Sequence, residues 1–240
     1  MGYSLLLILA EIFGLWIVSK KLIRQLFTTV LTVFRSRPFA VSLITALLFP
    51  GTVIHELSHL FSAEILGVRT GKLTLAPESI EQENINVGSV EFRQTDPFRR
   101  SVIGLAPFLV GLTALFVLSS ILPNLWNDTL TAYNGGVLFS SPSFYFLLFT
   151  LYFVFCISNT MFASSQDMKG VIPLAVVLGI LGTAAYVAGI RFGITGELEE
   201  KVVAVLFVIS KSLSVVLLLN LFLYALTSTG VWIGKRIRKN

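Results

Sequence analysis

Long apolar runs dominate this chain and constrain its fold more than any other feature. Six of them stand at Tyr3–Val18, Phe39–Leu66, Ser101–Leu122, Ser143–Ala163, Val171–Ile190 and Val202–Leu226. About 20 apolar residues in a helix cross the roughly 30 Å hydrocarbon core of a bilayer. In that solvent each backbone N–H and C=O must be paired inside the protein, so such runs predict helices. Composition points the same way. Hydrophobic residues make up 55% of the chain and charged residues only 13%, about half the charged share of a soluble domain. A soluble enzyme, a disordered chain and a fibrous repeat are thereby excluded. A disulfide scaffold is excluded too, because Cys156 is the single cysteine. The expected fold class is an all-α integral membrane protein of about six transmembrane helices. No repeat or linker divides it, so 1–240 reads as one domain with its core at 39–170.

Two runs are irregular. Tyr3–Val18 is short and contains Glu11. With no Lys or Arg before it and no small-residue cleavage site, it reads as a retained helix and not a signal peptide. Phe39–Leu66 is too long for one simple span and is interrupted at Pro50-Gly51. It either crosses once or turns back there as a hairpin. The polar stretch 67–100 holds two β-like runs, Val68–Leu75 and Val87–Arg93, and predicts a small β-hairpin at the membrane surface.

The net charge is +5, with Lys and Arg clustered between the apolar runs. In a membrane protein that pattern encodes topology and lipid-headgroup contact, not nucleic-acid binding. If every run crosses once, one face carries Arg69, Lys72, Arg93, Arg99, Arg100, Lys169 and the 235–239 tail. The other carries Lys20, Lys21, Arg24, Arg35, Arg37, Arg191 and Lys201. A hairpin at Pro50-Gly51 would move the 20–38 cluster to the first face. Both versions make the face of 67–100 the cytoplasmic one, in a multi-pass protein of the cell membrane.

The chemistry is concentrated in one motif. The only histidines, His55 and His59, frame His55-Glu56-Leu57-Ser58-His59 inside the second apolar run. Residues i and i+4 lie about 40° apart and about 6 Å along a helix, so both imidazoles can reach one metal ion. Glu56 lies on the same side, where it addresses the metal's water. This is the HExxH arrangement of zinc hydrolases. A catalytic zinc needs a third protein ligand. No further His exists, and Cys156 is deep in an apolar run. Asp167 is the leading candidate, just past the fourth run and on the face where the HExxH helix ends. Reaching His59 requires the fourth helix to continue past Ala163 or the chain to re-enter. An N-cap of the fifth helix is the bland role for Asp167. Glu197, Glu199 and Glu200 are the alternative ligands, although they read as a solvated loop.

With these residues in place, the chain resembles the site-2 protease family of intramembrane zinc metalloproteases. That family pairs HExxH with an Asp on a later helix, in the motif N-x-x-P-x-P-x-L-D-G. Asn159 and Asp167 match its spacing of eight. Phe162 and Ser164 replace its prolines, and Met168 stands where it has Gly. Ile103-Gly104-Leu105-Ala106-Pro107 is similar to its Gly-Pro-rich helix start. The resemblance covers roughly 39–170. It implies regulated intramembrane proteolysis: hydrolysis of peptide bonds in or near transmembrane segments of membrane proteins, with one Zn2+ per chain. His55, His59 and Asp167 would bind the metal, and Glu56 would be the general base. Asn159 would hydrogen-bond the substrate backbone or the oxyanion. The implied partners are a transmembrane substrate and the lipid bilayer. Two rivals stay open: a catalytically inactive membrane scaffold of the same fold, and another integral-membrane HExxH protease with a Glu as third ligand.

Lesser features carry simpler expectations. Glu11 and Lys211 form a buried ion pair or snorkel. Glu64 is a surface residue or a partner of Arg69, not a ligand. Trp126 and Tyr133 anchor a loop at the interface. Gly179, Gly182 and Gly189 permit close helix packing.

Overall fold

The computed structural model describes residues 2–74, 79–80, 85–86, 89–92, 95–162, 167, 176–177, 179–184, 187–188 and 196–237. They are mainly helical. α1 spans Gly2–Phe34, α2 Arg37–Ile65, α3 Pro97–Asn134, α4 Pro142–Thr160 and α5 Glu197–Ile237. By length and composition four helices are able to cross a membrane: α2, α3, α4 and the Glu197–Thr229 part of α5. The arrangement is that of an all-α, multi-pass membrane protein. The first apolar run lies inside α1, whose helix continues through Lys20, Lys21 and Arg24. Half of the fifth run falls outside the described residues. In its described part, Gly179 and Gly182 have nothing within 4 Å of where a Cβ would stand, so the close packing expected of them is not seen. Gly189 lies outside the described residues.

α1 and α2 are joined by a two-residue reversal. Arg35 takes a left-handed φ of 54°, and Ser36 caps α2 by accepting the Phe39 N–H at 3.4 Å. α2 then runs unbroken through Pro50. No hairpin forms at Pro50-Gly51. Proline removes the N–H that the Ala46 carbonyl would otherwise receive and loosens the turn around it. One carbonyl in that turn is braced from α4: Leu47 O accepts from Tyr152 Oη at 3.0 Å and Cys156 Sγ at 3.2 Å. Gly51 brings the two backbones together. A Cβ there would stand 2.6 Å from the Cys156 carbonyl oxygen and 2.5 Å from Thr160 Oγ1.

Between α2 and α3 are four short strands, β1 (Thr70–Thr74), β2 (Ser79–Ile80), β3 (Ile85–Asn86) and β4 (Ser89–Phe92). β1 pairs antiparallel with β4, and β2 with β3. Asp96 starts α3 by accepting the Arg99 N–H at 3.0 Å. That bond, with the nearby Arg99 guanidinium, holds the Asp96 carboxyl below the usual carboxylate range. α3 is 38 residues long, about 57 Å, far more than a bilayer core. Trp126 and Tyr133 therefore do not sit in a loop. They ride exposed on the helical extension beyond the apolar part of α3. A short 3-10 turn, Leu138–Ser140, leads into α4.

The core joins four helices. Ile8 and Leu15 of α1 pack with Leu115 of α3, Val154, Ile157 and Met161 at the end of α4, and Leu213 and Val216 of α5. A second cluster joins Leu22 to Ile44, Leu48, Phe155 and Cys156. Large apolar side chains such as Phe146, Phe149, Leu218 and Phe222 cover the outside, as a lipid-facing surface requires. Between α1 and α5 the expected Glu11–Lys211 pair is replaced by hydroxyls. Ser210 Oγ and Ser214 Oγ donate to Glu11 Oε1 at 3.1 and 2.6 Å, and Lys211 is exposed. The two serines are four apart and share the inner face of α5, whereas Lys211 points away from it.

Candidate metal centre

The HExxH residues occupy the last third of α2. His59 lies about 9 Å and His55 about 15 Å below the helix end at Ile65. Helical periodicity puts both rings on one side, and their centroids are 4.9 Å apart at 82°. His59 is anchored from α3: its Nδ1–H donates to the Ile103 carbonyl oxygen at 2.9 Å. A carbonyl only accepts, so Nδ1 carries a proton and Nε2 is the ring nitrogen left to serve as a metal donor.

Asp167 completes the group. Its Oδ1 lies 3.3 Å from His59 Nε2 and its Oδ2 lies 3.7 Å from His55 Nε2. The donor atoms of the three residues all fall within 4.8 Å of one another. A tetrahedral ion with ligands at about 2.0–2.2 Å separates its donors by about 3.4 Å. The triad fits a metal ion in donor type, in spacing and in the tautomer of His59. Among the described residues no other group of His, Cys, Asp and Glu offers such a site.

Asp167 does not reach this depth on a continued α4. The helix stops at Thr160, and Met161 and Phe162 leave it. Two glycines of α3, one heptad apart, make room for the chain that follows. A Cβ on Gly111 would stand 2.5 Å from Met161 Cβ, and one on Gly104 would stand 2.6 Å from the Asp167 carbonyl oxygen. The backbone of the third ligand is thus laid directly against α3. Gly104 belongs to the Ile103–Pro107 run already noted in the sequence, whereas Gly111 lies outside it. The signal available in the sequence was their separation of seven, which puts both on one helix face.

Glu56 is 5% exposed and close enough to His55, His59 and Asp167 to interact electrostatically with each. Its place beside the triad, and not in it, suits a proton acceptor. The alternative carboxylates are elsewhere. Glu197, Glu199 and Glu200 form the first turn of α5, not a loop. There Glu197 makes an exposed pair with Lys201 at 2.7 Å. Glu64 accepts from the Thr70 hydroxyl at 2.6 Å, so its partner is Thr70 and not Arg69. Cys156 is buried and donates to Leu47 O, away from the triad.

Asn159 sits one residue before the end of α4. Its neighbour Thr160 abuts Gly51, one helical turn below His55. Asn159 Nδ2 donates to Phe155 O at 2.8 Å and to Asn220 Oδ1 at 2.7 Å. Both amide hydrogens are thereby spent, so as it stands Asn159 has none left for an oxyanion. Sequence reasoning passed over Asn220, although a lone amide in an apolar run is itself a signal of a buried polar contact. No family model, no curated protein and no solved structure matches the chain.

Proposed function

We propose that the protein is an intramembrane zinc metalloprotease that hydrolyses peptide bonds in or near transmembrane segments of membrane proteins. The observation that carries this reading is the meeting of three metal donors with a buried glutamate inside a bundle of membrane-length helices. A metal-binding scaffold has no use for Glu56 there. A bound zinc ion would lower the pKa of its water to about 7 and polarise the scissile carbonyl. His55, His59 and Asp167 would hold the ion. His59 keeps its Nε2 aimed through the Nδ1–H bond to Ile103, the outer contact that usually fixes a ligand's orientation. Glu56 takes the proton of the attacking water on a carboxylate oxygen and delivers it to the leaving amine. The surrounding helices exclude bulk water and strengthen these charge interactions.

The triad lies towards the end of α2 from which the 67–100 segment departs. We place that end on the cytoplasmic face of a cell membrane, following the larger share of Lys and Arg.

The test is metal content and cleavage measured together on purified protein in lipid nanodiscs, with a model transmembrane substrate. Wild type should carry stoichiometric zinc and cleave. Glu56→Gln should keep the zinc and lose at least about a hundredfold in rate, the span of general-base catalysis. Equal cleavage by wild type and Glu56→Gln would end the reading.

A further inference from the structure

A buried polar network on α5 reaches the end of α4 next to the metal centre. Asn220 is fully buried, at 0% exposure. Its Nδ2 donates to Val216 O and to Ser158 Oγ, both at 3.0 Å. Its Oδ1 receives Asn159 Nδ2 at 2.7 Å. Asn159 Nδ2 also donates to Phe155 O at 2.8 Å. The carbonyls of Val216 and Phe155 can only accept, so neither amide can be turned over without setting two oxygens face to face. The network therefore has one orientation. Every polar atom of the Asn220 side chain is used. Asn159 Oδ1, by contrast, is buried and accepts no hydrogen bond among the described residues. An unmet buried acceptor costs about 1–3 kcal/mol in general, and such groups recur where a ligand supplies the missing partner. Asn159 is beside Thr160, which packs on Gly51 one turn below His55, so the residue lies at the end of α4 that abuts the HExxH helix.

We propose that Asn220 is a positioning residue. It holds the Asn159 amide in the one orientation that leaves Oδ1 unpaired, as a hydrogen-bond acceptor for a backbone N–H of an unwound, extended substrate segment. Asn159 then grips substrate by accepting and does not donate to an oxyanion. This inference rests on the protease reading, and it brings α5 into the active unit although α5 supplies no metal ligand.

The experiment is a double-mutant cycle on Asn159→Ala and Asn220→Leu in nanodiscs, with KM, kcat and bound zinc measured for each. Asn220→Leu should raise KM for the model substrate by up to roughly tenfold, the value of one net hydrogen bond. It should leave kcat within about threefold and zinc stoichiometric. Asn159→Ala should do the same, and the double variant should be no worse than Asn159→Ala alone, because both remove one contact. Should Asn220→Leu prove unstable, the cycle is run with Asn220→Ser.

Wild-type KM in Asn220→Leu would overturn the proposal. So would losses that multiply in the double variant, or a fall in bound zinc that tracks the fall in activity, since each marks simple loosening of the α4–α5 contact. A wild-type protein without Glu56-dependent cleavage would overturn the protease reading and this inference together. Cleavage that depends on Glu56 but ignores Asn220 overturns this inference alone.

Discussion

Besides Glu56, two carboxylates are sunk into this helix bundle, and their surroundings are opposites. Asp167 faces two imidazole nitrogens, at 3.3 and 3.7 Å. Glu11 faces two serine hydroxyls, at 2.6 and 3.1 Å. The hydroxyls donate hydrogen bonds to one oxygen of the carboxylate, Oε1, while Oε2 is buried and accepts none among the described residues. At the other site the Nδ1–H of His59 is committed to the Ile103 carbonyl, which leaves its Nε2 to face the carboxylate. Two imidazole nitrogens and a carboxylate whose donor atoms lie within 4.8 Å of one another fit a shared metal ion. The α1–α5 site is therefore read as a joint between helices, and the α2–α3–Asp167 site as a metal centre.

The sharpest way to break this contrast is at the histidines. His59→Ala removes a ligand together with the anchor to Ile103, and should abolish both zinc binding and cleavage. Metal analysis after dialysis checks it. Stoichiometric zinc in a His55→Ala/His59→Ala double variant would refute the centre outright.

Asp167→Asn comes next. It keeps the shape of the side chain and removes its charge, so zinc affinity should fall more than tenfold, as for a lost ligand. Competition with a chromophoric chelator reads the change. Wild-type affinity would return attention to Glu197, Glu199 and Glu200.

Gly104→Ala tests the path and not the ligand. The added methyl meets the Asp167 carbonyl oxygen at 2.6 Å, so the ligand's backbone must move. Zinc affinity should drop by roughly tenfold, the lower end for disturbing a ligand's support, while detergent-resistant folding persists. Unchanged affinity would mean that Asp167 is placed by something other than its seat on α3.

The smallest effect is expected at Glu11→Gln. The amide oxygen still accepts from Ser210 and Ser214, so bound zinc should be unchanged. The loss of stability should stay near the average interhelical hydrogen bond in a membrane, about 0.6 kcal/mol. A large loss of zinc on this substitution would show that the two sites are coupled, and would dissolve the comparison.

What the sequence determined by itself was whatever depends on local periodicity or on solvent. The length and apolarity of the runs decided that the chain is helical and membrane-bound, because unpaired backbone has no place in hydrocarbon. The spacing of four decided that His55 and His59 share a helix face, with Glu56 beside them. Element ends were less legible. α3 runs on through Pro123 to Asn134 and α2 runs through Pro50, since proline in a membrane helix is tolerated when neighbours brace the loosened turn, as Tyr152 and Cys156 do for Leu47. Only the tertiary structure decided the rest. Asp167 lies over a hundred residues from the histidines, and only the bundle brings it to them. Its arrival depends on Gly104 and Gly111, whose contribution is the absence of a side chain, so their spacing marks a shared helix face but not what packs against it. The partners of Glu11 and Asn159 were likewise hidden, because a buried polar group must bond to whatever faces it, and what faces it is set by how α1 and α4 pack on α5.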